Sequence, residues 1–258
     1  MICTLILHAE AEENNLGINV RTERWERWYK CSLCEQDYHG VVACALAWAC
    51  WKTYLERPEA DLARMSAMRQ LGNGLTEADH DEDALPVKEA ELSIARRLGC
   101  SEEDVLAVQS NLATTYLNLG RNEEALQMRR GVYSGYLKLL GEHVNTLIAA
   151  LNYAVTLHKL ERYAEAKTLL RKTLLVAQRV SRDVDENTLR LRWLYGEALY
   201  DDPAATLEDL REAVTTFEDT ERIARRTLGA THPTTKGIVT GLRYARAALR
   251  ARETPSPR

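Results

Sequence analysis

Apolar residues recur every three or four positions through most of the chain. Val105, Val108, Leu112, Tyr116 and Leu119 fall on one face of a helix. Ala125, Val132, Tyr133, Tyr136, Leu137 and Leu140 fall on one face of the next. Between the two, "NLGRN" places Gly120 where the first helix must break, and Gly141 ends the second, because glycine adopts the left-handed cap without a steric penalty. Similar stops occur at Gly99 and Gly229, and helix starts are signalled at Ser101 and Pro233. The pattern predicts helices in pairs.

The pairs repeat. "MRQLGNGLTEADHDEDAL" (68–85), "VQSNLATTYLNLGRNEEAL" (108–126) and "ALNYAVTLHKLERYAEAK" (150–167) align so that Leu71, Leu112 and Tyr153 are 41 residues apart. Ala84, Ala125 and Ala166 keep the same spacing. In a fourth copy at 192–214, Tyr195 lies 42 residues after Tyr153, and "DDPAA" lengthens the turn before Ala213. Small residues recur at Gly72, Ala113, Ala154 and Gly196 in the first helices, and at Ala84, Ala125, Ala166 and Ala213 in the second. Small side chains at a crossing let helix axes approach to about 8–10 Å.

Composition narrows the class. Of 258 residues, 45% are apolar, enough for a core, and a single Phe, 13 Gly and 6 Pro leave Leu, Ala, Arg and Glu to dominate, all of which favour helix. A net charge of −4 argues against nucleic acid as a partner. No apolar run approaches the ~20 residues that cross a bilayer, so no membrane partner is expected. "MICTLILHAE" lacks a basic region and a cleavage site, and reads as a frayed or truncated N-terminus. Six cysteines, four of them clustered, fit a reducing, cytoplasmic setting. The expected organisation is an N-terminal extension (1–28), a Cys/His segment with a packing helix (29–58), a repeat domain (59–252) and a disordered tail (253–258).

The large–small–Tyr/Leu pattern, with an alanine thirteen residues after the first large position, resembles the tetratricopeptide repeat. The 41–42-residue unit, against the usual ~34, and the join "LGATHPTT", decayed at "LGEHVNTL", are similar to the repeats of kinesin light chains and their relatives. Ser181, in place of the terminal glycine, departs from the pattern, as does the fourth turn. The resemblance implies an all-α fold, a right-handed α-solenoid of helix-turn-helix repeats: three repeats, a diverged fourth and a capping helix near Thr234–Arg252. It implies a non-catalytic, monomeric scaffold that binds a protein or peptide partner in a concave groove lined by the first helices.

Residues off the packing face of those helices are the candidate peptide-binding set: Arg69, Asn73, Ser110, Asn111, Thr114, Asn152, His158, Arg190 and Trp193. Asn111 and Asn152 occupy one repeat position, where similar repeats use asparagine to hold a peptide backbone. A carboxamide both donates and accepts. Trp193 is either an anchor for an apolar side chain or an inter-repeat packing residue.

The stretch "YKCSLCEQDYHGVVACALAWACW" (29–51) carries separate chemistry. Cys31 and Cys34 form C-x-x-C, and zinc takes four thiolate or imidazole ligands. Cys44 and Cys50 lie on one continuous helix, ~120° and ~9 Å apart, and cannot share an ion. The candidate structural zinc set is therefore Cys31, Cys34, His39 and Cys44, with Cys50 buried as a small apolar residue. On that reading the chain is alternatively a zinc-containing adaptor of a ubiquitin or signalling pathway. No phosphate-binding glycine loop or nucleophile–histidine spacing points to catalysis.

Overall fold

The computed structural model describes residues 11, 14–180 and 185–253. Helices make up 78% of these residues and no strand occurs among them. Eleven helices of nine residues or more follow in order: α1 (Ile18–Glu26), α2 (Gly40–Tyr54), α3 (Leu62–Glu77), α4 (Asp81–Arg97), α5 (Glu102–Asn118), α6 (Asn122–Leu140), α7 (Val144–Lys159), α8 (Tyr163–Val180), α9 (Glu186–Tyr200), α10 (Leu207–Thr227) and α11 (Pro233–Glu253). Ser181 and the tail after Glu253 lie outside the described residues, as does the stretch "MICTLILHAE".

Helix ends follow local chemistry. Ser101 accepts a hydrogen bond from the Asp104 N–H, and Thr206 and Asp209 form a reciprocal capping box ahead of α10. Gly99, Gly120, Gly141 and Gly229 all have positive φ, as the stops require. The turn inside each of the first three repeats uses the same left-handed position every 41 residues, at Asp79, Gly120 and Glu161. Only one of these three is glycine.

The chain divides into two compact units, Met1–Arg121 and Asn122–Arg258. In the first, α2 packs on α3, α3 on α4 and α4 on α5, with α3 also touching α5. Trp28, Cys50, Tyr54 and Ala67 form one core there, and Leu71, Leu75 and Ala84 another. In the second, successive helices from α6 to α11 pack in order, and α9 also contacts α7 and α11, the first helices on either side. Its core joins Leu147, Leu151, Leu170, Leu189, Leu194, Phe217 and Ile238.

The small-residue sites are where the helices meet. Ala84, Ala113, Ala125, Ala154, Ala166 and Ala213 are all fully buried. Four residues after each second-helix alanine comes another buried position, filled by Lys88, Arg129, Leu170 and Phe217. Where a large group fills it, the facing first-helix site can be glycine. A β-carbon at Gly196 would sit 2.5 Å from the Phe217 ring, and one at Gly72 would sit 2.9 Å from the Lys88 stem.

Candidate functional site

The first helices hold the predicted binding residues, and the structure sorts them by what they already touch. In the first unit, Arg69 of α3 donates from Nε to Oε1 of Glu91 at 2.7 Å. Glu91 is almost wholly buried, and that burial raises its carboxyl pKa while Arg69 pulls it back. Arg69 is thus committed to α4. Thr114 donates its hydroxyl to the Ser110 carbonyl one turn earlier.

In the second unit, His158 of α7 lies 3.0 Å from Asp201 and meets the Tyr163 ring edge-on. Trp193 of α9 donates its indole N–H to Glu197 at 2.7 Å, and burial raises the Glu197 pKa. The Trp193 ring covers Gly237 of α11 so closely that a β-carbon there would overlap it. Its ring is therefore packed against the capping helix. Arg190 is exposed.

Asn111 and Asn152 differ from these. Each is half-buried on a first helix, and among the described residues neither carboxamide makes a hydrogen bond. Outside the helix ladder, their backbone carbonyls accept from Lys88 Nζ and from the Thr156 hydroxyl respectively. Asn73 on α3 is also half-buried.

Sequence reasoning missed Lys88. Its stem lies along Gly72, and its Nζ donates to Thr76 Oγ1 at 2.7 Å, Thr115 Oγ1 at 3.0 Å and the Asn111 carbonyl at 3.4 Å. Three donors find three acceptors, which is what a buried ammonium requires. Burial pushes its pKa down to about 8, against the opposing pull of Asp81, Glu91 and Glu77. The signal lay in the repeat register, since Lys88 stands where Leu170 and Phe217 stand in later copies.

The cysteine segment forms a tight turn. Lys30 and Asp37 pair across it, the Cys31 N–H donates to the Gln36 carbonyl at 2.8 Å, and the Glu35 N–H donates to the Cys31 carbonyl at 2.9 Å. In the turn the Cys34 and Leu33 N–H groups and the Cys34 and Tyr38 side chains act on the Cys31 thiol. These donors, the Cys34 N–H foremost, lower the Cys31 pKa to about 7.

The other two proposed ligands turn elsewhere. His39 precedes α2 with Nδ1 3.5 Å from Glu77 of α3, and Cys44 packs beside Leu71, Leu75 and Ala84. Among the described residues no three His, Cys, Asp or Glu side chains are grouped to hold a metal ion. Cys31 and Cys34 share the turn, and His39 and Cys44 lie against other partners. Cys50 is fully buried, which pushes its pKa up.

Comparison with known proteins agrees with the fold. Residues 104–179 match the family model of the tetratricopeptide repeat. No curated protein matches the sequence. Among solved structures, a protein from Podosopora anserina described as carrying kinesin light chain nearly identical TPR-like repeats aligns over 88% of this chain and 95% of its own, with 18% identity and a TM-score of 0.58. A signal transduction ATPase with a tetratricopeptide repeat sensor from Pyrococcus horikoshii aligns over 97% of this chain and 39% of its own, with 16% identity and a TM-score of 0.64. A Rap protein complexed with competence and sporulation factor aligns over 81% of this chain and 59% of its own, with 15% identity and a TM-score of 0.54. The chain therefore carries tetratricopeptide repeats and has the fold of kinesin-light-chain-like repeat proteins.

Proposed function

We propose that the chain is a non-catalytic interaction scaffold whose first helices hold an extended peptide or partner helix of another protein, with Asn111 in the first unit and Asn152 in the second each offering its carboxamide to a ligand backbone. One observation carries this reading. Two half-buried carboxamides at the same repeat position leave both donor and acceptor unused among the described residues. A polar group held part-way out of water without a partner gains when a ligand supplies one. The Rap protein bound to its factor supports the reading by fold. Arg69, His158 and Trp193 have a lesser role in it, because their polar groups are already engaged. Of the described helices, none is long and apolar enough to cross a membrane.

The test starts from an array of immobilised peptides screened against the full chain. For a peptide so found, Asn111→Ala combined with Asn152→Ala removes whatever backbone hydrogen bonds these amides supply, each worth about 0.5–1.5 kcal/mol. Affinity is expected to fall roughly tenfold or more. Thermal stability should hold, since neither amide supports the fold. The control pair is Arg130→Ala with Lys172→Ala, on exposed sites of the second helices. Equal losses from both pairs would place binding away from the first helices.

A further inference from the structure

The packing helix α2 has one buried face and one open face. Ala43, Ala47, Cys50 and Tyr54 are buried, and a β-carbon at Gly74 of α3 would sit 2.5 Å from Ala47. That close approach fixes which side of α2 looks outward. There Val41, Ala45, Trp48, Lys52 and the capping Leu55 are all exposed. They step by four, three, four and three residues, the 3.5-residue spacing of a coiled-coil seam. Val42 is exposed beside them. A terminal helix of a repeat array needs a polar outer face if it is to meet only water. The last helix, α11, has one. Aligned on His143 and His232, its exposed Lys236, Thr240 and Arg243 stand where α7 has the buried Leu147, Leu151 and Ala154. Helix α2 instead exposes valine, tryptophan and leucine.

We propose that this seam pairs with the same seam of a second copy of the chain, the two α2 helices lying antiparallel about a twofold axis at Trp48. A twofold contact needs a surface that matches itself. Val41 and Leu55 lie seven residues to either side of Trp48, with Ala45 three before it and Lys52 four after. Antiparallel pairing sets Val41 against the partner's Leu55. It lays the Lys52 stem over the partner's Ala45, whose small side chain leaves room for it. A single lysine in such a seam fixes the register. Charge favours the same direction. Lys52 is the one charged residue of α2, and antiparallel pairing carries it toward the N-terminal end of the facing helix. At that end Asp37 and Glu77 are exposed, with Glu77 3.5 Å from His39 Nδ1. The Lys52 backbone stops ~7.5 Å short of the level of the partner's His39, a gap that its side chain spans. A parallel pair would set lysine against lysine. The seam is about 21 Å long, so the area it buries falls at the low end of specific interfaces, below about 1,200 Å². The dimer is accordingly weak and reversible.

The experiment is sedimentation velocity on the full chain, from low to high micromolar concentration. The expected result is a reversible shift from the mass of one chain to that of two. Trp48→Glu should weaken the association roughly tenfold or more. Val41→Glu and Leu55→Lys should each stay monomeric alone, and an equimolar mixture of the two should dimerise again. In the mixed antiparallel pair the new carboxylate faces the new ammonium, whereas a parallel pair would keep them at opposite ends. All three positions are exposed, and circular dichroism checks that each variant is folded. Asn111→Ala with Asn152→Ala should leave the dimer intact, which separates this surface from the peptide reading. A chain that stays monomeric throughout would overturn the proposal, as would a dimer that survives Trp48→Glu. A mixture of Val41→Glu and Leu55→Lys that remains monomeric would overturn the antiparallel pairing.

Discussion

Lys88 shows how a charged residue can occupy a buried position and still fit. Its counterparts in the repeat register are Arg129, Leu170 and Phe217, and its ammonium is buried among two threonine hydroxyls and a carbonyl. Its pKa is about 8 in the folded chain against 10.5 for a free lysine. Below pH 8 both states hold the proton, and Lys88 adds no pH dependence. Between about pH 8 and 10.5 the unfolded chain holds more protons, so stability attributable to this group rises with pH and then levels off. Urea unfolding of the chain and of Lys88→Met over pH 7.5–10.5 isolates that rise by difference. The wild-type curve should climb relative to the variant, and parallel curves would mean that Lys88 keeps its ordinary pKa.

At the scale of the element, the helix pairs share a turn whose left-handed residue falls at Asp79, Gly120 and Glu161. Glycine takes that conformation freely, and aspartate tolerates it better than most. Glutamate has neither excuse, because its β-carbon crowds the following carbonyl. Glu161→Gly should therefore stabilise the chain by about 0.5–1 kcal/mol, part of the ~1–2 kcal/mol left-handed penalty being offset by glycine's added freedom when unfolded. Thermal unfolding reads it as a rise in Tm, and a fall would show that the Glu161 side chain supports the turn. The packing helix α2 is the other case at this scale. It is apolar on nearly all sides, so spacing alone places Cys44 in its first turns without saying which way it faces. Contact with α3 turns it toward Leu71 and Leu75.

For the whole molecule, the dominance of helix is the property most directly checked. Circular dichroism should report well over two-thirds helix, against about 30–35% in an average protein, and substantial strand would contradict the fold. The repeat architecture was legible in the sequence because each unit must present the same small residues at its crossings and the same large ones between them. Ala84, Ala125, Ala166 and Ala213 could thus be named as buried before any coordinates. Helix ends at Gly120, Gly141 and Gly229 were legible for a similarly local reason, since the cap depends on the residue itself. Partnership was not legible. Arg69, His158 and Trp193 looked as available as Asn111 and Asn152, yet their partners Glu91, Asp201 and Glu197 come from the next helix, the end of α9 and one turn onward. The sequence by itself determined the repeat, its period and which positions are small, because these follow from periodicity along one chain. Which polar groups are satisfied, and what His39 and Cys44 pack against, depends on side-chain direction, and only the tertiary structure decided it.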